Sequence, residues 1–356
     1  MNRDTRRRIT AAEVAERSGA SRSAVSLVLN GRADGNVAPS LQERIRAAVD
    51  ELGYVPQSVG RSLRSRSTRT VGVITDEIVT SPFAGGIISG AGVVAREHGF
   101  MIMVADTEGE EDLVREMSEV FFSRSVDALM LATGGLVDVA PPQELLALPA
   151  VLANCLGPAD GAPSVVADEA GGSVQAVEHL LALGHRDIVQ LAGTEDSPAT
   201  ARRRAGFLRT AEGRAAPWTI PCGWEIDEGY RAAAALFDDG DPDGRPTAIL
   251  ASNDRTAVGV LLAAAHRGIR VPEELSVVGV DDQAHVASCV VPALTSVALP
   301  HRGIGARAME ILLHQVPGVA VEAGAAGPPA PGDVGAAELI STELMVRDST
   351  AAAPTR

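Results

Sequence analysis

The sequence predicts a two-part chain: an all-α helix-turn-helix head, then an α/β body of two doubly wound parallel-sheet subdomains. Three observations lead there. Charge is split along the chain: residues 1–69 hold 13 Arg against 7 Asp and Glu, net +6, and the remainder nets −21, giving −15 overall. Three short segments with helix-start and helix-stop signals fill the basic part. From Val71 onward, apolar runs of strand length alternate with helical segments.

Composition narrows the class. Apolar residues make up 46% of the chain, enough for buried cores, and aromatics only 3%, so the cores are built from Ala, Val, Leu and Ile. No uninterrupted apolar run approaches the roughly 18 residues of a membrane span. The N-terminus has charge but no apolar stretch behind it, so a secretory signal is not expected, and a cytoplasmic location is. Cys155, Cys222 and Cys289 are far apart with no CxxC, which argues against a disulfide framework or a zinc site. Neither a metal nor a cofactor is called for. All 31 basic residues are arginine. A basic head on an acidic body means that only the head meets a polyanion.

In the head, Thr10-Ala-Ala-Glu13 fits a capping box, and the helix it opens runs to Ser18, where Gly19 stops it. Ser21 caps a second helix in which Val25, Val28 and Leu29 share a face. Ser40-Leu-Gln-Glu43 reads as another capping box after Pro39, opening a third helix with Leu41, Ile45, Val49 and Leu52 inward and Gly53 as its stop. In a helix-turn-helix the second helix enters the major groove with its early residues toward base edges. Arg22, Ser23 and Leu27 lie off the apolar face. Arg22 suits guanine O6 and N7, while Leu27 either touches a thymine methyl or packs inside. Ser21, Ser26 and the Arg6-Arg7-Arg8 arm suit phosphates.

The stretches ITAAEVAERSGASRSAVSLVLNG and ERIRAAVDELGYVPQSVGRSL, in this order and spacing, resemble the LacI/GalR family of transcriptional regulators. The resemblance implies a DNA-binding domain over 1–57 and a hinge helix over 58–69 whose leucine enters the minor groove. Its candidate DNA contacts are Arg8, Thr10, Ser21, Arg22, Ser23, Ser26, Leu27, Asn30, Arg61, Leu63 and Arg64. In the hinge, Val59 and Leu63 fall at i and i+4, so two hinges side by side could push both leucines into one base step. Two residues depart from the family pattern: Leu27 stands where a polar base reader is common, and Gly60 where alanine is usual. Gly60 costs a helix about 1 kcal/mol relative to alanine, so the hinge is expected to order only on DNA.

The body begins with the strand VGVIT and the helix FAGGIISGAGVVAREHG, whose glycines suit close packing on a sheet. FMIMVA, VDALMLA, PAVLAN, DIVQLAG, TAILAS and SVVGV follow as further strands, with helices such as AGGSVQAVEHLLALG, ATARRRAGFLRTAEG and DRTAVGVLLAAAHRG between them. This is too much for one sheet of ordinary size, so two subdomains with a cleft between them are expected. SPF at 81–83, HLLALGH at 179–185, RRAG at 203–206, ASNDRTAVG at 251–259, ELSVVGVDD at 274–282 and PALTSV at 292–297 resemble the same family's effector-binding core, which is similar to periplasmic sugar-binding proteins. The core then spans 70–346, with one subdomain over about 70–166 and 299–316 and the other over about 167–298 and 338–346. Residues 317–337, rich in Pro, Gly and Ala, read as a flexible loop, and 347–356 as a tail.

Carried over motif by motif, the resemblance implies effector contacts from Asp76, Phe83, Asn154, Arg203, Trp224, Asn253, Asp281 and His301. Asp, Asn and Arg offer directional hydrogen bonds, and Phe83 and Trp224 flat apolar faces. Each has a plainer reading: Arg203 as one of a solvated arginine run, Asp281 as a turn cap, Asn253 as the cap of the helix at Asp254, Trp224 as core. His179 and His185 read as structural. An enzyme is disfavoured, since no G-x-G-x-x-G follows a strand and no P-loop, G-x-S-x-G or HExxH occurs. A solute-binding protein without a DNA role is disfavoured by the basic, folded head. The expectation is a dimeric regulator, most simply a repressor, on double-stranded near-palindromic DNA. Its effector is expected to be sugar-like, with a nucleoside as the alternative.

Overall fold

The structure, a computed structural model, describes residues 9–54, 67–77, 84–238, 245–320 and 337–355. It divides into two compact units, residues 1–68 and 69–356. Residues 58–66 of the expected hinge lie outside the described residues, and with them Arg61, Leu63 and Arg64; so do Arg8 and Phe83.

The head contains helices α1 (Ala11–Ser18), α2 (Arg22–Leu29) and α3 (Pro39–Leu52). The box at α1 is complete: Thr10 Oγ1 accepts the Glu13 N–H at 3.4 Å and the Glu13 carboxylate accepts the Thr10 N–H at 2.7 Å. Gly19 closes α1 at φ 64°, a left-handed conformation that glycine adopts without a Cβ clash. At α2, Ser21 Oγ accepts the Ala24 N–H at 3.1 Å. The expected box on Ser40 and Glu43 does not form. Pro39 already occupies the first turn behind Ala38, because its fixed φ and missing N–H suit that position. Val14, Val25, Val28, Ile45 and Ala48 make the core, with Leu27 and Leu29 packed partly against it.

The body holds two six-stranded sheets, ordered β11-β5-β4-β3-β1-β2 and β12-β10-β9-β8-β6-β7. The first uses β1 (Thr70–Thr75), β2 (Met101–Asp106), β3 (Ala128–Asp138), β4 (Ala150–Leu156), β5 (Ser164–Ala167) and β11 (Glu338–Ile340). The second uses β6 (Asp187–Ala192), β7 (Ala216–Pro221), β8 (Ala248–Leu250), β9 (Ser276–Asp281), β10 (Thr295–Ala298) and β12 (Glu343–Met345). Every described pairing is parallel except β10 with β12. Helices α4 (Ala84–Glu97), α5 (Glu111–Ser123) and α6 (Gln143–Leu146) belong to the first half, and α7 (Glu169–Ala182), α8 (Pro198–Ala211), α9 (Ile226–Asp238) and α10 (Asp254–His266) to the second. The chain then returns through α11 (His301–Gln315), which is buried in the first subdomain's core.

Three crossings therefore join the subdomains: β5 to α7, β10 to α11, and β11 to β12. The last one corrects the expected boundary, because 338–346 does not belong wholly to the second subdomain. Ile340 pairs with Ala167 in the first sheet, and Leu344 with Val297 in the second. Between them Thr342 is buried, its carbonyl accepting from Gln175 Nε2 at 3.0 Å.

The glycines of α4 serve a helix rather than the sheet. A Cβ on Gly90 would overlap the Arg302 carbonyl oxygen, and one on Gly305 the Ile87 carbonyl oxygen, so α4 and α11 meet backbone to backbone. The final segment is built in as well. Ser349 is fully buried and donates to the Val277 carbonyl at 2.6 Å, while Ala351 and Thr350 reach His185 and His179. Gly90→Val should force α4 and α11 apart and cost about 1–3 kcal/mol, read as a lower denaturant midpoint in equilibrium unfolding.

Candidate functional site

Among the described residues, the predicted effector contacts fall into two groups at the carboxyl ends of the two sheets. In the first sheet, the β3–β4 register slips between Ala132/Ala153 and Val137/Cys155, so four residues of β3 face the single Asn154. Thr133 Oγ1 donates to the Asn154 carbonyl at 2.8 Å, and Asn154 Nδ2 donates to the Thr133 carbonyl at 3.0 Å. Asn154 adopts φ 62°, uncommon outside glycine, and these bonds hold it there. The Gly134 N–H reaches both Asp76 carboxylate oxygens, at 3.0 and 3.1 Å. Asp76 and Asn154 are thus brought together through the bulge.

In the second sheet the centre is Arg203. Its Nε donates to Glu169 Oε2 at 2.7 Å and one Nη to Glu169 Oε1 at 3.1 Å, a forked pair; the other Nη donates to the Ser252 carbonyl. The guanidinium carbon lies 5.6 Å from the Trp224 ring centroid. Arg203 is therefore no member of a solvated run. Asp281 Oδ1 lies 3.9 Å from Arg203, and its side chain is only 8% exposed. Asp281 and Asp282 both have positive φ, 111° and 49°, a strained turn of the kind found at ligand sites. It is fixed by the Asp282 N–H donating to Ser296 Oγ at 3.0 Å and by the Arg347–Asp282 pair at 2.6 Å.

Asn253 does cap α10: its Oδ1 accepts the Thr256 N–H at 2.8 Å, while its Nδ2 donates to the Trp224 carbonyl at 3.0 Å. It thereby positions Trp224, whose ring lies flush on Gly193. Leu136 from the β3 bulge, Ala199 and Trp224 pack in one apolar cluster, so the two groups of polar residues are bridged there. Behind Arg203, a cavity of about 10 Å³ lined by Ser173, Gln190 and Thr200 is too small for an organic molecule.

Burial sets the titration of this wall. It pushes the Asp281 carboxyl well above its ordinary range, Arg203 opposing and Asp254 and Glu169 adding to the rise. Asp254, which accepts from Ser296 Oγ and the Gln283 N–H at 2.6 Å each, is raised by burial to about 6. His301 opens α11, and burial, with the positive charge of Arg203, holds its imidazole down at about 4. It is uncharged at neutral pH. The sequence reading missed Glu169, Thr133, Gly134 and Asp254. Among the described residues no cluster of three His, Cys, Asp or Glu is arranged to hold a metal.

In the head, α2 exposes Ser21, Arg22 and Ser23 while burying Val25 and Val28. Thr10 and Ser21 serve as caps, and Asn30 caps the end of α2, its Nδ2 donating to the Ser26 carbonyl at 2.6 Å. Leu27 is half-buried against the head's core.

Comparison with known proteins follows the same division. Residues 5–57 match the profile of bacterial regulatory proteins of the lacI family, and 177–350 that of the periplasmic binding protein-like domain. The repressor CytR of Escherichia coli K12 is 31% identical over 323 residues, which is 89% of this chain and 90% of that protein. The chain belongs to the LacI family of bacterial regulatory proteins. The family's repressor PurR of Vibrio campbellii is 30% identical over 315 residues, 86% of this chain and 92% of its own. The Lac repressor dimer bound to operator and the anti-inducer ONPF superposes with a TM-score of 0.79 at 26% identity, covering 97% of this chain and all of the other. The CelR–cellobiose complex superposes with a TM-score of 0.62 at 29% identity over 96% of this chain and all of the other. As a LacI-family member the chain is a DNA-binding transcriptional regulator with an effector-binding body, and not an enzyme. No helix among the described residues is long and apolar enough to cross a membrane.

The His301 value has a consequence for stability. Its folded-state pKa, about 4, is depressed below the ordinary 6.5, so the unfolded chain takes the proton first. Stability present above pH 6.5 is therefore lost as pH falls toward 4, by about 2 kcal/mol at pH 5. Asp254 acts with the opposite sign, so the comparison must isolate the histidine. Unfolding free energies at pH 7 and pH 5 should show a smaller acid loss in His301→Gln than in the wild type.

Proposed function

We propose that the protein works as a homodimeric repressor whose two heads read the half-sites of a near-palindromic operator. Its effector is a sugar-like molecule that binds between the sheets. The observation that carries the reading is the first turn of α2, where Arg22 and Ser23 stand exposed on a helix fixed by Val25 and Val28. That geometry matches a recognition helix entering the major groove. The edges β2 and β7 lie opposite the β11–β12 crossing and expose Met101, Val104 and Trp218, a surface suited to a second copy. The solved relative with cellobiose supports a sugar.

On this reading the effector alters how the two bodies hold the hinges, with a coupling of about 1–3 kcal/mol. Leu63, on the same reading, wedges a base step of the operator. Selection of genomic fragments by the purified full-length chain at ~100 mM salt should recover a duplex with two half-sites. Recovery of no specific duplex would sink the reading. On the recovered duplex, Arg22→Ala should weaken binding by about 1–3 kcal/mol and relax preference at one position of each half-site. Leu63→Ala should reduce DNA bending in a circular-permutation gel assay; unchanged bending contradicts the wedge.

A further inference from the structure

We infer that the small cavity behind Arg203 is a binding site for one water molecule, which joins α7, β6 and α8 beside the Arg203–Glu169 pair. On α7, Ser173 stands one turn after Glu169; on α8, Thr200 stands one turn before Arg203. Residues three and four apart share a helix face, so the ion pair and the two hydroxyl residues lie along one helix–helix contact. The helices approach closely there. A Cβ on Gly206 would lie 2.4 Å from the Ala170 carbonyl oxygen and 3.0 Å from Ser173 Cβ. Gln190, from β6, lines the same space as Ser173 and Thr200.

These three residues carry buried oxygens with no hydrogen-bond partner among the described residues: Ser173 Oγ, Gln190 Oε1 and Thr200 Oγ1. Other helical hydroxyls turn to their own backbone. Ser118 Oγ donates to the Val114 carbonyl at 2.7 Å, and Thr210 Oγ1 to the Gly206 carbonyl at 2.8 Å. Ser173 and Thr200 do not, and their hydroxyls stay available to the cavity. Its volume of about 10 Å³ is the room of one water, and a buried water makes about three hydrogen bonds. The amide oxygen only accepts, whereas each hydroxyl donates or accepts, so a water can serve all three at once. A cation there would sit against the Arg203 guanidinium, and an anion against the Gln190 amide oxygen.

High-resolution diffraction from crystals of the full-length chain tests the site directly. One solvent peak is expected within about 2.5–3.0 Å of all three oxygens. A map with these side chains ordered and no peak among them overturns the inference. An anomalous peak at the same place after a bromide soak also overturns it, because the site then belongs to an anion.

Thermal unfolding supplies a second arm in solution, because a wet and a dry site give opposite signs. Thr200→Val keeps the side chain's shape and removes its hydroxyl. With water bound, one of its bonds is lost and the melting midpoint should fall by about 2 °C. In a dry site the same change removes an unpartnered oxygen, so a midpoint that rises or stays overturns the inference. Thr219→Val is the control. Thr219 Oγ1 is also buried without a partner among the described residues, but Thr219 does not line this cavity. Its midpoint should not fall; an equal fall in both variants would trace to valine itself and overturn the inference.

Discussion

A guanidinium only 8% exposed has to be neutralised where it sits, and the Arg203–Glu169 pair does that. Removing one partner of such a buried pair leaves a stranded charge, at a cost of about 3–5 kcal/mol. The pair joins α8 to the first residue of α7, and the first turns of α7 also touch the other crossings between the subdomains. A Cβ on Gly172 would run into Val297, just before the second crossing, and into Thr342 at the third. Gln175 bonds Thr342 and accepts the Leu344 N–H at 3.1 Å. One helix thus carries the counter-charge of Arg203 and packs at all three crossings.

The two ends of the cleft are built on different physical terms. At the first sheet, a four-against-one bulge is held by backbone and amide hydrogen bonds, so Asp76 and Asn154 are set by geometry. At the second, positions follow from charge: Glu169 fixes Arg203, and Asp281 is held near it by a strained turn locked through Ser296 and Arg347. Trp224 closes the space between, carried by Asn253 and seated on Gly193. Asn253 therefore both caps α10 and holds the Trp224 carbonyl.

Much of the architecture was legible because helix punctuation and apolar runs are local. Gly19, Gly53 and the Thr10 box behaved as their chemistry dictates, and the buried parallel strands read as continuous apolar runs. What was not legible depended on distant partners. β7, APWTIP, is an edge strand with two prolines, which obscure strand character. The segment ELISTELM looks like one strand because nothing local says that Ile340 and Leu344 belong to different sheets. Glu169 reads as an ordinary acid in a first helical turn, favourable to the helix dipole, until folding places Arg203 against it. Thr133-Gly134-Gly135 looks like a loop, and only the register slip against β4 shows it gripping Asp76 and Asn154.

The dependence of the site on one ion pair can be measured without any ligand. A double-mutant cycle over Glu169→Gln and Arg203→Met, read as unfolding free energies in denaturant at pH 7, isolates the coupling. A coupling of about 3 kcal/mol is expected, with the double variant losing far less stability than the two single losses summed. Additivity within about 0.5 kcal/mol would mean that Arg203 is held by other contacts and that the carboxyl end of the second sheet does not rest on this pair.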